Sequence, residues 1–208
     1  MSETKTLDGN ITSNASSERP KRPIRKMRLE NLFYPGETVS VFIESYTLHK
    51  MGVFHDETLD LSGFLALLRS YDVNVKQNFF YALYDESNTE FSSFKKTLDF
   101  ASYNGFDTVV KRPTKFTNDE GREITRGSVG MEMTIDIMKV AKSVDHVVVV
   151  TSNPDFAALF YEINRMGVKT TLVGSIERGT NNDLRKSVGN FIEYADLVTE
   201  INKMPPNY

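Results

Sequence analysis

Two polar clusters interrupt apolar runs in this chain, and both fall where a strand should end. Val39–Ile43 runs into Glu44 and Ser45, and the four valines Val147 to Val150 run into Thr151, Ser152, Asn153 and Asp155. The chemistry these side chains offer is that of carboxylate, carboxamide and hydroxyl oxygens. A sequence without cysteine excludes disulfides, zinc–thiolate sites and thiol catalysis, and it fits a reducing cytoplasm. The three histidines, His49, His55 and His146, have no partner at metal-ligand spacing and read as surface or packing residues. A third polar stretch, from Lys111 to Arg126, sets Lys111, Arg112, Lys115, Arg122 and Arg126 against Asp119, Glu120 and Glu123, with a turn at Asp119-Glu120-Gly121. It reads as a basic hairpin, either a solvated loop or a surface for an RNA backbone.

The elements that must position these groups follow from periodicity. From residue 38 onward, short β-branched or aromatic runs alternate with segments of helical spacing, the signature of βαβ units around a parallel sheet. Strands are expected at Val39–Ile43, Asn78–Leu83, Thr108–Lys111, His146–Val150 and Lys169–Val173, with a short sixth at Leu197–Thr199. Helices are expected at 58–70, 91–103, 128–143, 155–166 and 182–190. In the first of them Leu59, Leu61, Phe64, Leu65 and Leu68 share one side. Right-handed crossovers bring the carboxyl ends of parallel strands to one edge, and ligands of open α/β sheets collect there.

Four segments resemble, in order and spacing, the NYN branch of the PIN-like nucleases, particularly its bacterial LabA-like members. They are Val41-Phe42-Ile43-Glu44-Ser45-Tyr46-Thr47-Leu48; Leu98 to Phe106 running on to Val109-Val110-Lys111-Arg112-Pro113; Arg126-Gly127-Ser128-Val129-Gly130 and the helix after it; and Val149 to Phe156. Together they cover most of residues 39–200. The resemblance implies a three-layer α/β/α, PIN-like (Rossmann-like) domain with a mainly parallel sheet. It also implies acids that hold one or two Mg²⁺ or Mn²⁺ ions and activate water for phosphodiester hydrolysis, a task that needs clustered oxygen ligands.

Carried over residue by residue, that pattern gives Glu44 and Asp155 as catalytic carboxylates and Glu44, Asn153 and Asp155 as metal ligands. Ser45, Thr47, Arg112, Lys115, Arg126 and Ser152 become substrate contacts. The chain departs from the family where it matters: Glu44 stands for an Asp, Thr47 for an Asn, Gly130 for an Asp, and Asn153 for an Asp. Two of four carboxylates remain. Glu132 and Asp136 follow Gly130 by two and six residues, and a step of two turns a helix by about 200°, so both should face away from it. Asn153-Pro154-Asp155 also reads as an N-cap, a first-turn proline and an acid favoured by the helix dipole. The free amides there would suit a phosphate, though Asp155 opposes an anion.

The chain of 208 residues carries seven prolines, twelve glycines, 39% hydrophobic residues and a formal charge of −3. That suits one domain at 38–200 rather than two, with any nucleic-acid contact local. Residues 1–30 read as a disordered basic tail, with Lys21, Arg22, Arg25 and Lys26 around Pro20 and Pro23, and 201–208 as a C-terminal tail. No run is long enough to span a bilayer, and no secretory signal is expected. Three readings stay open: an RNA-binding relative with weak or lost catalysis, an active Mg²⁺- or Mn²⁺-dependent endoribonuclease, and a protein-interaction scaffold that uses no nucleic acid. Oligomeric state is not legible.

Overall fold

The structure is a computed structural model, and it describes residues 29–84 and 91–205. The expected basic tail falls almost wholly outside the described residues.

A 3-10 turn at Leu29–Leu32 leads into β1 (Thr38–Glu44), α1 (Ser45–His55), α2 (Leu61–Ser70), β2 (Asn74–Leu83), α3 (Phe91–Tyr103) and β3 (Asp107–Lys111). A two-stranded antiparallel hairpin, β4 (Thr114–Thr117) and β5 (Glu123–Arg126), precedes α4 (Gly130–Val140). The chain then runs through β6 (His146–Val150), α5 (Phe156–Arg165), β7 (Lys169–Gly174), α6 (Asn182–Lys186), β8 (Asn190–Glu193) and α7 (Tyr194–Asn202).

The six long-range strands form one parallel sheet in the order β3-β2-β1-β6-β7-β8. One face packs Val41, Ile43, Val148 and Val150 against Leu48 and Met51 of α1, Phe64 and Leu68 of α2, and Leu197 and Ile201 of α7. The other packs Phe42, Val147 and Val149 against Met133 and Ile137 of α4, and Phe160 and Ile163 of α5. Alternate side chains thus go to opposite layers, as the pleat requires. The result is the expected three-layer α/β/α arrangement.

Five of the expected strands recur with ends shifted by at most a few residues, and His146–Val150 and the helix at 91–103 recur unchanged. The sixth is a correction. Leu197–Thr199 lies inside α7, where Tyr194, Leu197, Val198 and Ile201 form one buried helical stripe, and the sixth strand is Asn190–Glu193. The helix expected from 58 starts at Leu61, because Asp60 Oδ1 accepts from the Ser62 amide at 3.0 Å and caps the helix there. The packed body also begins before residue 38 and continues past 200: Leu29, Leu32, Phe33 and Ile201 are all buried in the first core layer.

The amino edge of the sheet is tied by a buried charge cluster. Glu37 Oε1 lies 2.8 Å from Lys169 Nζ, and its Oε2 lies 3.3 Å from His146 Nδ1 and accepts from the Tyr34 amide. His146 is fully buried; its Nε2 lies 2.7 Å from Thr171 Oγ1, and its ring stacks on Phe33. Burial would raise the Glu37 carboxyl, but bonds to His146 and Lys169 outweigh it and hold the pKa at about 2. Burial pushes the His146 imidazole down, against the pull of Glu37. An unfolded chain therefore takes up protons more readily than the folded one at both groups, so stability falls as pH falls. The loss begins at His146 below its ordinary 6.5 and continues at Glu37 from 4.5 toward about 2. Urea melts at pH 7, 5 and 3 should show this decline. Glu37→Gln should cost about 2 kcal/mol at pH 7 and flatten the most acidic part of the profile.

Candidate functional site

The strand order reverses between β1 and β6. From β1 the chain builds outward through β2 and β3, then returns to lay β6 on the other flank of β1. In an open α/β sheet such a switch point leaves a crevice beyond the carboxyl ends of the two central strands. Ile43 pairs with Val150, so the next residues, Glu44 and Thr151, stand side by side at its floor.

Glu44 is the half-buried centre of this site. Its Oε2 accepts from Thr47 Oγ1 and from Thr151 Oγ1, each at 2.7 Å. Thr47 Oγ1 also accepts from the Ser152 amide at 3.2 Å and lies 3.2 Å from Ser152 Oγ. The Thr151 hydroxyl accepts from the Asn153 amide at 3.2 Å. Thr47 and Thr151 are buried, at 1% and 0% exposure. Each has its hydroxyl committed to holding Glu44 and the turn after β6, which makes Thr47 a positioning residue in this geometry. Ser45 is buried at the first position of α1, and Ser152 is half-buried.

The turn into α5 departs from the cap its sequence suggests: the cap position falls at Asp155, whose side chain makes no capping bond, and Asn153 instead closes a turn ahead of the helix. Asn153 Oδ1 accepts from the Asp155 amide at 3.0 Å, and the helix proper begins at Phe156. Asp155 is exposed, and its carboxylate has no hydrogen bond or ion pair among the described residues. Gly130, at the start of α4, faces the same turn: a Cβ built on it would stand 3.7 Å from Asn153 Nδ2 and 3.1 Å from Ser128 Oγ. The first, third and fourth resembling segments thus converge.

The nearby acids are engaged elsewhere. Glu132 Oε1 lies 2.7 Å from Lys111 Nζ, and that ammonium holds its carboxyl below the usual range. Asp136 accepts from the buried Tyr81 hydroxyl at 3.0 Å, and burial together with this carboxylate pushes the phenol up. The hairpin cations are partly balanced by their own neighbours: Lys115 lies 3.5 Å from Glu123 and Arg122 3.2 Å from Glu120. Arg112 is exposed beyond β3, and Arg126 ends β5 opposite Thr114.

This donor set does not fit a resident pair of divalent cations. Two of the four expected carboxylate positions hold a glycine and a neutral amide whose carbonyl already accepts from the Asp155 amide. One oxygen of Glu44 takes two hydroxyl donors. No group of three or more histidine, aspartate or glutamate side chains among the described residues is arranged to hold a metal.

Beside Glu44 a cavity of about 740 Å³ opens between α1, β2, α3 and the Gly127–Val129 segment. Sequence reasoning missed both this cavity and the role of Thr151. The cavity depends on α1, whose Tyr46 and Val53 are exposed while Leu48 and Met51 are buried, so that no clear apolar stripe marked a helix. Thr151 was legible as polar, but its role needed the β1–β6 register.

A parallel three-layer α/β protein with an oxygen-rich crevice at its switch point is the class these observations define. A family model described as the NYN domain matches residues 30–197, and the chain belongs to that family. Among solved structures it is similar to a protein of unknown function from Vibrio parahaemolyticus, with a TM-score of 0.62 and 21% identity over 78% of this chain and 95% of that one. That likeness speaks for the fold. Curated proteins give no match.

If the threonine hydroxyls hold Glu44 in place, Thr151→Val should lower stability by about 1.5–3 kcal/mol, the range for a bond to a charged group. Asp155→Asn, at an exposed and unpaired carboxylate, should stay within about 0.5 kcal/mol. Thermal melts of the two variants give the comparison.

Proposed function

We propose that this chain is an RNA-binding member of the NYN family in which phosphodiester hydrolysis is weak or lost. The observation that carries the reading is the strand-tip cluster. The carboxylate of Glu44 is held by Thr47 and Thr151, while the facing positions carry Gly130 and Asn153. A crevice of hydroxyls and amides around a carboxylate suits hydrogen bonding to ribose hydroxyls, with the phosphates lying toward the basic hairpin. It is poorly suited to gripping a dication, whose affinity depends on ligand charge and count.

In this reading the RNA backbone follows the carboxyl edge of the sheet. Ser45 and Ser152 stand at its floor, and Arg112 and Lys115 flank it on the hairpin side. The hairpin's balanced charge makes this a local contact of modest strength, with a correspondingly shallow salt dependence.

Titrating labelled single-stranded RNA with and without Mn²⁺ tests the reading. Binding that Mn²⁺ changes little, without cleavage, is expected. Cleavage that disappears in Glu44→Ala and Asp155→Ala would instead make the chain an active ribonuclease, and absence of binding would favour a protein-interaction platform. A companion variant, Gly130→Asp with Asn153→Asp, places two acids where the geometry already converges. It should tighten Mn²⁺ binding at least about tenfold over the parent by calorimetry, since two added charges raise the pull of an oxygen site.

A further inference from the structure

We infer that the cavity beside Glu44 is a pocket for one unstacked nucleobase that carries an exocyclic amino group, cytosine being the clearest case. The inference rests on the RNA-binding reading above and deepens it.

The walls of the cavity come from both sides of the crevice. Leu48 of α1, Phe80 and Leu83 of β2, Phe94 of α3 and Val129 before α4 supply an apolar, partly aromatic lining. Phe80 is almost fully buried and Phe94 already stacks on Tyr84, so the lining takes a flat heterocycle by apolar contact rather than on an open stacking platform. At about 740 Å³ the space accepts a base with its sugar and leaves the phosphates outside.

The polar groups of the lining decide which base. They include the carboxylates of Glu44, Asp56 and Glu57 beside His49 and the hydroxyls of Ser45, Thr58, Thr97 and Ser128, so carboxylates are the only formally charged groups besides a histidine, and the described lining residues include no lysine or arginine. A carboxylate accepts hydrogen bonds, so it pairs with an amino edge and repels a carbonyl edge. It repels phosphate as well, which keeps the backbone on the hairpin side, where Arg112 follows β3. Cytosine and uracil have the same outline and differ at one edge group, amino against carbonyl, so this pocket should favour the first.

The wall that carries two of these acids is set before any ligand arrives. Asp56 takes a left-handed conformation, with φ of 52°, to end α1, and the Glu57 amide donates to the Gly52 carbonyl at 3.1 Å. The Glu57 carbonyl accepts from the buried Tyr194 hydroxyl at 2.8 Å. The turn is thus fixed by bonds to its own backbone groups, one of them from the Tyr194 side chain, while the side chains of Asp56 and Glu57 remain exposed.

Fluorescence anisotropy of the full chain with labelled oligo(rC) and oligo(rU) of equal length tests the inference. The wild type should bind oligo(rC) at least about fivefold more tightly than oligo(rU), the lower end of what one good base-edge contact supplies. Val53 lines the mouth and is 69% exposed, so Val53→Trp should fold normally, which thermal melting checks, and narrow the entrance. It should weaken oligo(rC) binding about fivefold or more and leave oligo(rU) within about twofold. Glu57→Lys should narrow or invert the preference. If both RNAs bind equally and Val53→Trp changes neither, the pocket assignment is wrong while RNA binding stands. Failure of every RNA to bind overturns the functional reading itself, and this inference with it. A lysine-rich peptide that competes at the mouth while RNA does not would assign the cavity to a protein ligand and overturn the inference alone.

Discussion

The pairing of β1 with β6 is the contact on which the rest depends. Residues more than a hundred apart in sequence lie in register along five pairs, from Val39–His146 to Ile43–Val150. These strands are almost wholly buried, with apolar side chains feeding both core layers. Because the side-chain period is two, a slip of one residue would exchange the layers, driving Ser40 and His146 into the wrong face and pulling Glu44 away from Thr151. The register that builds the core is therefore the register that builds the site. Nothing local to either strand end could produce the hydroxyl–carboxylate cluster alone.

The irregularity in β2 shows how a buried sheet absorbs a departure from this order. Its pairing with β1 shifts between Val39 and Val41, and Asn78 stands opposite Val41 just past the shift. The Asn78 side-chain Oδ1 accepts from the Val41 amide and its Nδ2 donates to the Gly105 carbonyl. An apolar residue there would leave these backbone groups without partners in a sealed interior, which is costly. Beyond the shift, Glu44 and Tyr81 stand opposite each other, and Tyr81 reaches Asp136 on α4. An acid that follows the converging Gly130 in sequence is thereby committed to holding the α4 layer against the sheet.

How much of this was legible in the sequence depended on whether a signal was local. The four-valine strand and the Asn153-Pro154 turn were readable because burial on both faces and turn chemistry each leave a mark within a few residues. The three-layer class followed from the alternation of such segments. Helix α1 was hidden because its first turn serves the site, where Ser45 and Thr47 are buried polar groups that blur the apolar period. Leu197–Thr199 misled because three residues of a β-branched and apolar type fit either a short strand or one turn of a helix, and only the spacing from Tyr194 to Ile201 decides. At the site, residue types gave the oxygen chemistry. They did not give the commitment of Thr151 to Glu44, or that of Glu132 to Lys111, since those depend on which segments become neighbours.

The charge cluster of Glu37, His146 and Lys169 sits at one end of the central strands, and Glu44 sits at the other, roughly 20 Å away along β1 at about 3.3 Å per residue. Anchorage and chemistry are housed at opposite poles of the same strand. An acid at the crevice can therefore be exchanged for a glycine or an amide without loosening the clamp that keeps the sheet together. A lineage with this layout is free to let its reactive pole drift toward recognition while inheriting the scaffold unchanged.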